Sequence, residues 1–135
     1  MRIIIDCNIW ISLLIGHRVQ LIRKIILDSR FDVYVCDDLL NEIRDVANRS
    51  KIRKYISTAE CEDLFRIIQS FCILADINLK SCANIRDPKD LYLLSFAESI
   101  TADYIISGDN DLLTLKQHRN TKIIKLAEFF ENCQL

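Results

Sequence analysis

The sequence has few of the residues that break or link secondary structure, since its 135 residues include two glycines and one proline. It contains no repeat, no low-complexity tract and no evident linker, and its length suits one domain over residues 1–135. It also has almost no net charge, with a formal value of -1 at pH 7. Because no overall field attracts the protein to a polyanion, nucleic-acid binding would need a local basic patch or bridging cations.

Paired cysteines and long apolar runs are absent as well. The six cysteines lack the short paired spacing of zinc ribbons and of secreted disulfide frameworks; they are Cys7, Cys36, Cys61, Cys72, Cys82 and Cys133. We interpret them as reduced, mostly buried thiols. The longest uncharged apolar run, residues 7–16, is too short to span a bilayer, and a strand pattern from Arg2 onward leaves no room for a signal sequence. These features predict a cytoplasmic protein without a membrane partner.

Short apolar runs alternate with amphipathic segments along the whole chain. The runs predict five strands, over residues 3–5, 31–35, 72–77, 103–106 and 122–126. The remaining segments predict helices over residues 8–14, 18–29, 37–48, 57–71, 87–100 and 109–115, with a last helix around Phe129. Asp37 or Asp38 is expected to cap the third helix, and Ser57 or Thr58 the fourth. The alternation predicts an α/β fold with a mostly parallel central sheet.

Acidic residues stand where these elements begin and end. Asp6 follows the first predicted strand and Asp109 follows the fourth, and the sites of parallel α/β sheets lie beyond the carboxyl ends of the strands. On a helical wheel, Glu42 lies at the polar edge of an apolar arc, where it can reach over the rim of the core. Asp90 points into the apolar arc of its helix, toward which Glu98 also lies, and no lysine or arginine shares that face. A carboxylate there is costly unless it is paired or metal-bound.

Each acid also has a purely structural interpretation. Asp6 or Asn8 could cap the first helix, Asp87 and Asp109 could cap later ones, and Asp90 could favour the positive end of its helix. The convergence of four acids from separate elements favours a shared function instead, because close carboxylates repel one another unless a hard divalent cation neutralises them. Oxygen ligands select Mg²⁺ or Mn²⁺, and these ions suit phosphodiester chemistry by an activated water.

Four stretches carry a family resemblance: residues 3–12, 39–43, 86–97 and 102–113. With these stretches the sequence resembles the PIN-domain nucleases, and particularly the VapC-like toxins of bacterial toxin–antitoxin systems. The resemblance implies a three-layer α/β/α fold whose five strands lie in the order 3-2-1-4-5. It also implies a Mg²⁺- or Mn²⁺-dependent endoribonuclease that cleaves single-stranded RNA, is restrained by a cognate antitoxin and, like many related toxins, forms a homodimer.

The resemblance also assigns roles to individual residues. It implies four catalytic and metal-binding acids, Asp6, Glu42, Asp90 and Asp109. Asp111 matches a supplementary acid that some members carry, and Asn8 and Ser107 match small polar positions that orient the first aspartate and a nearby water. Cys7 stands where threonine is frequent and Ser107 replaces a common threonine, but neither departure removes a ligand.

Other residues are weaker candidates for a functional role. A basic stretch that ends in the aromatic Tyr55 could bind RNA by phosphate contacts and stacking, or could be a solvated helix end; its cations are Arg49, Lys51, Arg53 and Lys54. His17 and His118 could support metal-free cleavage of RNA, but both are predicted to be surface residues. Trp10 and Phe96 are predicted to belong to the core.

Two other functions compete with a nuclease. A phosphoacceptor receiver domain would need an acceptor aspartate at the end of the third strand, near Asp76, and a lysine after the fifth, where Lys125 stands. It would lack the adjacent acidic pair after the first strand and would leave Asp90 and Asp109 without a role. A catalytically silent PIN-fold module could instead use the acidic cleft to hold a basic partner.

Overall fold

Strands and helices alternate in the computed structural model, which describes residues 1–79 and 88–135. The strands are β1 (Arg2–Ile5), β2 (Asp32–Val35), β3 (Ile73–Leu74), β4 (Tyr104–Ile106), β5 (Gln117–His118) and β6 (Thr121–Ile124). The helices are α1 (Cys7–Ile15), α2 (Gln20–Ile26), α3 (Asp37–Ala47), α4 (Ser50–Arg53), α5 (Thr58–Phe71), α6 (Pro88–Ile100), α7 (Asn110–Leu115) and α8 (Leu126–Cys133). The predicted cap at Asp87 and the thiol of Cys82 lie outside the described residues.

The described strands form one sheet in the order β3-β2-β1-β4-β6-β5, in which only β5 runs antiparallel to its neighbour. The mostly parallel α/β fold predicted from the sequence is therefore confirmed. Receiver domains place their first strand between the second and the third, whereas β1 lies here between β2 and β4. The receiver hypothesis is wrong for this reason.

The centre of the sheet is β1, whose Ile3, Ile4 and Ile5 are fully buried, as the continuous β-branched run predicts. Ile5 is in register with Ile106 of β4, and the N–H of Asp6 donates to the Ile106 carbonyl at 2.9 Å. The next residue on each strand therefore leaves the sheet beside the other. These two residues are Asp6 and Ser107.

The sequence predicts five strands, and the structure adds β5. This strand pairs with β6 through a turn at Arg119, which has a φ of 52°. Two residues are too few for a recognisable alternation, and a turn without glycine gives no hairpin signal. The prediction that His118 lies on the surface is also wrong, because its side chain is 15% exposed and its Nε2 atom lies 2.9 Å from Oε2 of Glu98.

Helix starts were predictable where a side chain caps the helix. Ser57 and Glu60 form a reciprocal capping box at the start of α5, which confirms Ser57 as the cap. The predicted cap of α3 is wrong, since Cys36 occupies the N-cap position and makes no side-chain cap. Asp37 and Asp38 lie in the first turn instead, where their charges still favour the positive end of the helix.

The core lies between the sheet and the helices, and α1 packs against α3 and α5. Trp10 and Phe96 are almost fully buried, which confirms them as core residues, and the indole N–H of Trp10 donates to the Ile5 carbonyl at 2.9 Å. The five described cysteines are free thiols, and burial raises the pKa of Cys7 to about 12 and that of Cys36 to about 11. In the described part of the chain no helix has the length and apolarity to cross a membrane.

Candidate metal centre

The site begins where β1 and β4 end side by side. The hydroxyl of Ser107 donates to Oδ2 of Asp6 at 2.7 Å, and the N–H of Asp109 donates to the same hydroxyl oxygen at 3.0 Å. Ser107 is fully buried and Asp6 is 6% exposed. One hydroxyl therefore links the acid that follows β1 to the backbone of the acid that follows β4.

Asp109 has two roles in this arrangement. It is the N-cap of α7, where its Oδ1 atom accepts the N–H of Asp111 at 2.8 Å, so the capping interpretation of this acid is confirmed. The cap uses one carboxylate oxygen of Asp109 and holds the first turn of α7 against that side chain. Asp111 is brought next to Asp109 by this local geometry.

Asp90 lies in the first turn of α6. It is half-buried, and its Oδ2 atom is shielded from solvent. Asp90, Asp109 and Asp111 each contribute a carboxylate oxygen to a group in which these atoms lie within 4.8 Å of one another. Oxygens that share one Mg²⁺ at about 2.1 Å lie about 3 to 4 Å apart, so a small side-chain adjustment would let the three acids share a cation.

Asp6 lies beside this group in an unfavourable setting for a charge. Its pKa is raised to about 6, chiefly by burial and also by the charges of Glu42 and Asp109, although the hydrogen bonds from Ser107 and the Cys7 backbone act in the opposite direction. The negative charges of Glu42 and Asp109 therefore lie near Asp6. A cation bound at this place would relieve the repulsion.

Glu42 reaches the site from α3. It is half-buried, and its Oε1 atom accepts a hydrogen bond from the hydroxyl of Tyr92 at 2.5 Å. Burial and this hydrogen bond raise the pKa of Tyr92 far above its usual range, so the hydroxyl stays a donor. Nothing in the sequence separates Tyr92 from an ordinary core aromatic, because its role depends on α3 and α6 meeting in space.

Residues 2–111 match the sequence model of the PIN domain. The chain belongs to the PIN-domain family. Its fold is also similar to a chain of the crystal structure of VapBC2 from Rickettsia felis bound to a DNA fragment from their promoter. The TM-score is 0.60 with 14% sequence identity, over 91% of this chain and 97% of that chain, and at such identity the likeness concerns the fold. No curated protein matches the sequence significantly.

Asn8 and Glu98 are two further candidates for the acidic site of this PIN domain. Asn8 is exposed in the first turn of α1, and among the described residues the side-chain hydrogen bond to Asp6 comes from Ser107. Glu98 lies two turns beyond Asp90 on α6, where it contacts His118 and, at 2.7 Å, Nε of Arg119. Glu98 therefore fastens the β5–β6 hairpin to α6.

The basic stretch Arg49, Lys51, Arg53 and Lys54 is exposed around the short helix α4. Burial dominates the raised pKa of Cys7, but the charge of Arg49 lowers it, which indicates that Arg49 lies near the residue that follows Asp6. Arg53 donates to Oγ1 of Thr58 at 2.5 Å. Arg49 thus lies close enough to the site to act on a group next to Asp6.

We predict that Ser107→Ala destabilises the metal-free PIN domain by about 1–3 kcal/mol, because the buried Asp6 carboxylate loses its donor and the Asp109 N–H loses its acceptor. Urea unfolding near neutral pH measures this cost. Ser12→Ala is the matched control, since the exposed Ser12 hydroxyl donates to the Ile9 carbonyl within α1. Equal effects of the two substitutions would show that the Ser107 hydroxyl does not organise the acids.

Proposed function

We propose that this PIN domain is a Mg²⁺- or Mn²⁺-dependent endoribonuclease that cleaves single-stranded RNA. The observation that carries the proposal is the group formed by Asp90, Asp109 and Asp111 beside the buried Asp6. These acids come from β1, α6 and the start of α7, so the fold itself assembles them. Half-buried carboxylates this close together repel one another, and a cation bound among them would relieve that repulsion.

The donor set fits a hard divalent cation. The three close ligand atoms are carboxylate oxygens, which select Mg²⁺ or Mn²⁺ over zinc. The nearest thiol in sequence, Cys7, has its pKa raised to about 12 by burial, so it is protonated at neutral pH and is a poor ligand. Asp90, Asp109 and Asp111 would hold the cation, with Asp6 and Glu42 completing the site from β1 and α3.

A divalent cation in such a site lowers the pKa of a bound water and so supplies a nucleophile for phosphodiester hydrolysis. The protein's own residues orient the acids for this chemistry. Ser107 fixes the Asp6 carboxylate, and the cap at α7 fixes that of Asp109. These hydrogen bonds hold the two acids in place before substrate binds. Such preorganisation is what catalysis requires.

Arg49 is the residue that we propose for substrate positioning, together with Lys51 and Lys54. The net charge of the chain gives no general attraction to RNA, so a local cation near the acids would be needed to hold a phosphate. Tyr55, 60% exposed next to this stretch, offers a stacking surface. Arg53 is less available because of its bond to Thr58.

We predict that Arg49→Ala raises the KM for single-stranded RNA about 3- to 10-fold and leaves kcat within about twofold. The slope of the logarithm of the binding constant against the logarithm of salt concentration should become shallower by about one, because one phosphate contact is lost. Steady-state cleavage at several salt concentrations measures these quantities. Lys24→Ala, an equal loss of charge at an exposed position of α2, is the control. A larger KM effect from Lys24 than from Arg49 would contradict the proposed path of the RNA.

We further propose that the protein is the toxin of a toxin–antitoxin pair, restrained by a cognate antitoxin and active as a homodimer in the cytoplasm. The support is the fold similarity to a VapBC2 chain, which is an argument by analogy. Co-expression with the product of a small adjacent gene tests it. Relief of growth inhibition together with co-purification of the two proteins is the expected result, and growth unaffected by the nuclease alone would contradict it.

Incubation of the purified protein with end-labelled single-stranded RNA of mixed sequence tests the nuclease. We expect fragments with Mn²⁺ or Mg²⁺, none with EDTA, and recovery when the metal is restored in excess. Asp45→Asn, which neutralises an exposed acid on α3, should cleave like the unsubstituted protein. No cleavage and no heat of Mn²⁺ binding, with binding to a basic partner retained, would favour the catalytically silent module.

A further inference from the structure

A tyrosine joins the two helices that flank the acidic site. Tyr92 lies on α6 two residues after Asp90, and its hydroxyl donates to Oε1 of Glu42 on α3 at 2.5 Å. This length lies at the short end of the range for a hydroxyl donor and an oxygen acceptor. The contact spans fifty residues of sequence, so the tertiary fold alone creates it.

The contact opposes a repulsion that would otherwise displace Glu42. Asp6 and Glu42 lie close enough for their charges to interact, and two such carboxylates repel each other. A glutamate side chain with three torsions can relieve this repulsion by turning toward solvent. The Tyr92 hydroxyl holds one oxygen of Glu42 in place and leaves the other, Oε2, for a second interaction.

We propose that Tyr92 is a positioning residue, whose hydroxyl holds Glu42 beside Asp6 so that Glu42 can serve a divalent cation bound among the acids. The proposal rests on the proposed function for the cation, but it assigns to Tyr92 a role of its own. Tyr92 does not touch the cation or the RNA in this role. It acts through Glu42, as residues that hydrogen bond to metal ligands commonly do.

The test is Tyr92→Phe, which removes the hydroxyl and keeps the ring. We expect the affinity for Mn²⁺, measured by calorimetry without RNA, to fall about 10-fold or more, in line with losses of about 10- to 100-fold when a ligand's hydrogen-bond partner is removed. The Mn²⁺ concentration for half-maximal cleavage should rise by the same factor, and the rate at saturating Mn²⁺ should change much less. Tyr104→Phe, which removes the hydroxyl of a half-buried tyrosine at the far end of β4, should change neither quantity.

A double substitution separates positioning from stability. In the Glu42→Gln background, adding Tyr92→Phe should change Mn²⁺ affinity by less than about twofold, because the hydroxyl acts through the Glu42 charge. Unchanged Mn²⁺ affinity in folded Tyr92→Phe would overturn the inference while the nuclease proposal stands. A Tyr92→Phe protein that is unfolded without metal would also overturn it, since the hydroxyl would then serve stability. Absence of Mn²⁺ binding by the unsubstituted protein would remove both proposals.

Discussion

Replacing Asp109 by asparagine should reduce metal-dependent RNA cleavage by about 100- to 1000-fold and leave the fold intact. Asparagine caps helices about as well as aspartate, and its side-chain oxygen can still accept the Asp111 N–H. The substitution removes the negative charge and a good metal ligand from the centre of the acidic group. Cleavage rates at saturating Mn²⁺ and thermal melting curves measure the two effects separately.

The matched control for Asp109→Asn is Asp45→Asn, which changes the same atoms at an exposed position of α3. Asp45→Asn should retain full cleavage and a similar melting temperature. Asp111→Asn tests the neighbouring member of the group and should lower Mn²⁺ affinity. If Asp109→Asn cleaved RNA at the unsubstituted rate, the acidic group could not be the catalytic site.

Replacing Asp6 by asparagine should abolish cleavage yet stabilise the metal-free protein above pH 6. Burial raises the pKa of Asp6 from an ordinary 3.8 to about 6, so the folded protein binds a proton more tightly than the unfolded chain. The stability from this proton is fully present below pH 4, is lost as the pH rises through 6, and stays lost above. The shift of about two units corresponds to about 3 kcal/mol, of which we expect asparagine to recover about 1–3 kcal/mol.

Urea unfolding at pH 4, 5, 6 and 7.5, with EDTA present, measures this prediction. The two proteins should be similar in stability at pH 4, and Asp6→Asn should be the more stable at pH 7.5. Addition of Mn²⁺ at pH 7.5 should stabilise the unsubstituted protein more than Asp6→Asn, which keeps Asp90, Asp109 and Asp111 but lacks the Asp6 charge. A loss of stability in Asp6→Asn at pH 7.5 would contradict the view that Asp6 is a crowded, buried carboxylate.

Much of the fold followed from patterns that act locally. The β-branched run Ile3–Ile5 and the capping residue Ser57 each carry a signal within a few residues, and each prediction is confirmed. The strand β5 carries no such signal because its two residues are extended only through pairing with β6. The surface prediction for His118 is wrong for the same reason, since its burial against Glu98 needs that hairpin.

Part of the candidate site could likewise be predicted from local sequence patterns, and part depends on tertiary contacts. Asp6 and Asp109 could be placed together from sequence because parallel strands present their carboxyl ends at one edge of the sheet. The close approach of Asp111 depends on the cap at Asp109, and the contact of Tyr92 with Glu42 depends on how α3 and α6 pack. Tertiary contacts of this kind leave no periodicity in the sequence, and only the assembled fold reveals them.

Anomalous diffraction from crystals grown with Mn²⁺ would test the central claim most directly. The claim is that the acids at the ends of β1 and β4 and at the start of α6 hold a divalent cation. We predict a manganese peak with carboxylate oxygens of Asp90 and Asp109 about 2.1 Å away, and Asp6, Glu42 and Asp111 around it. No manganese among these acids at saturating Mn²⁺, or a peak only elsewhere on the surface, would contradict the account.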